Sequence, residues 1–225
     1  AACMLLTARQ LDAKPDGTPF CALLFAASLP VLVSQQTTLL EEFMRLLLTA
    51  GVLAAVFAVK EKLAWLVFLA AGLIGVSGAA GFYAVFFGAG AAAGLLLGAP
   101  KRERGIWVLA AVLIAGLPLA VRLLAADRLP QSAALFAQNV LTPGVLALAI
   151  KTHMIRIYGM GLLLLAIRFF VGREDALAVP VLALVGAALF RLLSRSPAAE
   201  AWMDAPMLAC LAGVGIAKFA RPKGR

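Results

Sequence analysis

Apolar residues in this chain gather in long runs, and its charged residues stand in pairs and short clusters between them. The longest run, Leu63 to Ala99, holds thirty-seven residues without a charged side chain, bracketed by Lys60-Glu61-Lys62 and Lys101-Arg102-Glu103-Arg104. As one helix it would extend roughly 55 Å, nearly twice the roughly 30 Å hydrocarbon core of a bilayer. The pattern therefore predicts two helices folded back at the glycine-rich middle, Gly72-Leu-Ile-Gly75-Val-Ser-Gly78-Ala-Ala-Gly81, with both basic ends on one side of a membrane.

The same reading gives candidate spans near 18–40, 43–59, 63–80, 82–99, 105–126, 132–150, 154–171, 176–193 and 203–219. Some are at the short edge of what crosses a bilayer, so 154–171 or 203–219 is equally readable as interfacial or re-entrant. The expected fold is all-α: a polytopic integral membrane helical bundle of seven to nine short transmembrane helices, forming one domain over 1–225 around the 63–99 hairpin. Arg-Leu-Leu recurs at Arg45, Arg122 and Arg191, but in a Leu-rich chain this is a weak sign of an internal repeat.

Composition agrees with the pattern. Hydrophobic residues make up 64% of the chain and charged residues 14%, against about 25% charged in soluble domains. Mean hydropathy is +1.00. The net charge of +9 would suggest nucleic acid in a soluble protein, but the twenty Lys and Arg residues are scattered between apolar runs. That distribution excludes a nucleic-acid surface and fits loop charges that set topology and meet anionic phospholipids, so the bilayer itself is the first expected partner. The Lys and Arg count does not choose an orientation for nine spans, although the tail Lys218, Arg221, Lys223 and Arg225 favours the cytoplasm. Short loops and Ala/Leu/Arg-rich usage point to a bacterial inner membrane. The opening Ala-Ala-Cys-Met-Leu-Leu has no basic segment ahead of it and reads as a processed terminus or the end of a longer helix.

Gly90, Gly94 and Gly98 lie four residues apart on one helical face. Small residues at this spacing allow two backbones to approach closely, either against a neighbouring helix of the same chain or across a homo-oligomer seam. Charge inside the apolar segments has one sign: Arg122, Arg168, Arg191 and Lys218 lie in or at the ends of spans, while the acidic residues keep to loops and span edges. No carboxylate is available at membrane depth for a cation relay, and arginine pairs well with phosphate and carboxylate. The bland alternative is snorkelling to the interface.

The richest polar cluster is Gln138-Asn139-Val-Leu-Thr142-Pro143-Gly144, followed by Lys151-Thr152-His153. Pro143 and Gly144 would loosen the helix and leave carbonyls for a solute or for neighbouring amides. A second kink is expected at Pro118, one turn before Arg122. The candidate substrate-binding set is thus Arg122, Gln138, Asn139, Thr142, Lys151 and His153.

His153 is the sole histidine, and Cys3, Cys21 and Cys210 form no metal-ligand spacing and no disulfide framework. No metal, cofactor or catalytic residue is expected, and the cysteines read as buried apolar thiols. Glu41 and Arg45 stand at i,i+4 and read as an interfacial pair. A small transporter or channel for an anionic or amphiphilic solute heads the functional readings. A non-catalytic subunit of a larger membrane complex comes next, and a lipid-modifying enzyme third.

Overall fold

The computed structural model describes residues 2–11, 19, 21–23, 39–99, 104–125, 175–194 and 205–220, and every regular element among them is helical. The long helices are α1 (Ala2–Leu11), α2 (Leu39–Glu61), α3 (Ala64–Ser77), α4 (Phe82–Gly98), α5 (Arg104–Ala125), α6 (Asp175–Ser194) and α7 (Ala205–Ala220), with a 3-10 turn at Gly78–Ala80. The candidate spans 132–150 and 154–171 and most of 18–40 lie outside the described residues.

By length and composition, two segments among the described residues are able to cross a membrane: Phe43–Glu61 in α2 and Arg104–Leu124 in α5. The other apolar helices are shorter. With 14 and 17 residues, α3 and α4 extend roughly 21 and 25 Å, below the roughly 30 Å of a hydrocarbon core. The all-α class thus stands among the described residues, with two helices there long and apolar enough to cross a membrane; α3 and α4 are short because the turn between them takes residues from both.

The chain divides into two compact units, one of Ala1–Gln36, Ser132–Arg173 and Ala198–Arg225, the other of Thr37–Gln131 and Glu174–Pro197. In the first, α1 packs on α7; Met4, Ala8 and Leu11 are buried on α1, and Met207, Leu211 and Val214 on α7. The short 19–23 segment meets α7 at Gly213, where an added Cβ would lie 2.6 Å from the Cys21 amide nitrogen.

The second unit holds α2 to α6. Its first connection is two residues long: Lys62 adopts φ 54°, and the Leu63 N–H donates to the Ala58 carbonyl at 3.2 Å. This six-to-one bond is a Schellman ending, with lysine where glycine is usual. The uncharged 63–99 run then folds back as its composition predicts, but the break is narrower than the whole glycine-rich stretch. Gly72 and Gly75 continue inside α3, and the chain reverses over Gly78 to Gly81, with Gly81 at φ 154°, a conformation that disfavours any side chain.

The two arms make little contact with each other. Each packs along α5 instead, while α2 covers α3 and reaches α6. Gly75 faces Leu117 of α5, and Gly51 of α2 faces Ile74 of α3. The most extensive pairing joins α4 to α6, antiparallel. A methyl group at Gly90 would collide with the Leu182 carbonyl, one at Gly94 with the Ala178 carbonyl, and one at Gly186 with the Phe86 carbonyl. Positions rise by four on one helix as they fall by four on the other, so the two backbones stay close along the whole seam. Gly98, the last of the spaced glycines, is half-buried.

Gly94→Leu is expected to lower stability by about 3 kcal/mol, the upper range for overpacking, because backbone atoms cannot yield as a flexible side chain does. Gly116 has open space around it, so Gly116→Ala is expected to be neutral or to stabilise by up to about 1 kcal/mol. Thermal unfolding of both variants in detergent checks the contrast, and equal midpoints would contradict it.

Candidate functional site

The proline predicted to disturb a helix lies inside a continuous α5. Without an N–H, Pro118 leaves the Ile114 carbonyl without its usual i+4 donor. Gly88 of α4 stands against that carbonyl: an added Cβ would lie 2.7 Å from Ile114 O and 3.3 Å from Pro118 Cγ. A Cβ at Gly78 would overlap the Pro118 backbone. The two glycines make room for the irregular turn of α5 between the end of α3 and the first half of α4.

One turn beyond Pro118, Arg122 is half-buried with its guanidinium 5.5 Å from the centre of the Phe82 ring. Its Nε is buried and has no hydrogen-bond partner. Phe82 opens α4, whose first turn follows from the Gly81 N–H donating to Gly78 O at 3.2 Å and the Ala84 N–H donating to Gly81 O at 3.3 Å. No side chain caps this helix and no acidic residue occupies its first turn. A cation over an aromatic ring therefore adjoins the positive end of a helix dipole. Such a corner attracts a carboxylate or phosphate, and the exposed Phe82 ring offers apolar contact beside it.

Of the expected substrate-binding residues, Arg122 is the member placed here. Gln138, Asn139, Thr142, Lys151 and His153 lie outside the described residues, as does Arg168. Arg191 and Lys218 fall on α6 and α7. Among the described residues, no group of three His, Cys, Asp or Glu side chains is placed to hold a metal ion.

Three buried polar groups escape a reading by spacing. Arg45, expected as half of an interfacial pair, is only 6% exposed on α2, where Thr49 Oγ1 donates to its carbonyl at 2.8 Å. Its sequence signal was the apolar flanks, Phe43-Met44 before it and Leu46-Leu47-Leu48 after. Tyr83 is buried between Phe87, stacked at 5.9 Å, and Phe190, edge-on at 6.1 Å, and its hydroxyl has no partner. Trp107 is fully buried with its indole N–H likewise unpaired. Unpaired buried donors such as the Tyr83 hydroxyl and the Trp107 N–H are uncommon and costly, so they mark positions held by the packing around them.

The chain matches no protein-family model, no curated protein and no solved structure.

The stacking of Arg122 on Phe82 predicts a coupling energy of about 0.5–1 kcal/mol in a double-mutant cycle of Arg122→Gln and Phe82→Leu, measured by thermal unfolding. Additive effects would show that the ring does not hold the guanidinium.

Proposed function

We propose that the chain is a small multi-pass membrane transporter or channel for an anionic or amphiphilic solute, with Arg122 as a solute contact. The observation that carries this reading is the Arg122 corner: a half-buried guanidinium with a free Nε donor, on an apolar helix, beside an uncapped helix start. Membrane residence is supported by α5. Its apolar window is only 28% buried, whereas the core helix of a water-soluble protein is mostly covered. Leu109, Val112, Leu123 and Leu124 are exposed on α5, as are Trp65, Phe68 and Leu69 on α3, and acyl chains are the solvent that accepts such a surface.

Charge supports an orientation. Lys60 lies in the last turn of α2, Lys62 follows it, and Arg104 opens α5; all three are exposed. The antiparallel run from α2 through α5 brings them to the end opposite the Gly78–Gly81 turn, and a basic end prefers the cytoplasm. In this reading the Arg122 corner lies near the far face, and the host is a bacterial inner membrane.

The bare face of α5 also favours a second reading, a non-catalytic subunit whose partner helices cover it. A stoichiometric partner chain copurifying in mild detergent would support that alternative.

Two measurements test the proposal. The protein should remain in the membrane pellet after alkaline carbonate washing, and release into the supernatant would overturn membrane residence. In liposomes, flux of an organic anion should fall at least tenfold in an Arg122→Leu, Asn139→Leu double variant; undiminished flux would remove these residues from the site.

A further inference from the structure

Two cysteines separated by almost the whole chain meet in the first unit. Cys21 and Cys210 are both fully buried and both free thiols. The Cys21 thiol donates to the Cys210 carbonyl at 3.2 Å. One turn further along α7, Gly213 fixes the approach. A Cβ there would stand 2.5 Å from Cys21 Sγ, 2.6 Å from its amide nitrogen and 2.9 Å from its Cα, so the Cys21 backbone rests directly on the helix. The Cys21 sulfur therefore lies against the main chain of Cys210, and a disulfide between them would require a Cα separation of roughly 4.4–6.8 Å.

We propose that Cys21 and Cys210 are a modification site, a dithiol that a small peroxide oxidises to a disulfide. One thiol attacks a peroxide oxygen, breaking the O–O bond to give a sulfenic acid and one water. The second thiol then attacks the sulfenic sulfur, the S–S bond forms and the hydroxyl leaves as a second water. Two sulfurs each lose one electron, the peroxide gains two, and both thiol protons end in water. The bond closes a loop of nearly the whole chain and ties the 19–23 segment to α7. Cross-links that close long loops constrain the unfolded chain most. Cys3, half-buried on α1, stays outside the pair.

The experiment treats the purified full-length protein in detergent with hydrogen peroxide and counts thiols after denaturation. The expected count falls from three to one, the intact mass drops by two hydrogens, and proteolysis yields one linked peptide carrying Cys21 and Cys210. Cys3→Ser should go from two thiols to none, and Cys210→Ser should yield no intramolecular cross-link. Oxidation should also raise the thermal midpoint of the wild type and leave that of Cys210→Ser unchanged. Three thiols surviving in treated wild type, or a linked peptide that contains Cys3, would overturn the proposal.

Discussion

The second unit depends on the approach of two helix backbones, α4 and α6, at Gly90, Gly94 and Gly186. Each of these glycines stands where a methyl group would strike a backbone atom of the opposite helix. A side chain at any of them would separate the helices and take Tyr83, Phe86 and Phe190 out of their shared aromatic contact. In an apolar solvent this closeness matters more than in water. Burying hydrocarbon gains little when the alternative is also hydrocarbon, so stability rests on the number of atoms in van der Waals contact.

The helix α5 plays a different part. It packs with both arms of the 63–99 hairpin, α3 and α4, while much of its surface stays bare. Pro118 would be a defect in such a helix if its neighbours were bulky. Gly78 and Gly88 turn it into a fixed point, because both helices can come up to the backbone that the proline leaves irregular. Arg122 inherits its position from this arrangement. It projects where the hairpin reverses, and the reversal supplies both the Phe82 ring and the uncapped start of α4. The chemistry of the corner is thus a by-product of how three apolar helices close on one proline.

Much of this was legible in the chain. A charge-free run too long for one span had to fold, and glycines marked where; Gly90 and Gly94 announced a close-packed face. Yet Gly72 and Gly75 belong to the same glycine-rich stretch and do not bend the helix. A glycine permits a turn without requiring one, and the hydrogen bonds of α3 continue until Gly81 takes a backbone conformation closed to other residues. Arg45 shows the same limit. Its spacing from Glu41 reads as an interfacial pair, while its side chain is buried on α2, and local spacing carries no record of which face is covered.

The sequence by itself determined the helical, strongly apolar character of the chain, the hairpin, and the single sign of the charges within its apolar segments. These follow from local composition and from the length a helix can bridge. Tertiary structure decided the partners: Ala178, Leu182 and Gly186 for the glycine face, Gly78 and Gly88 for Pro118, Phe82 for Arg122, and Cys210 for Cys21. Such pairings depend on shape complementarity between segments far apart in the chain, and a list of residues contains the shapes without the fit.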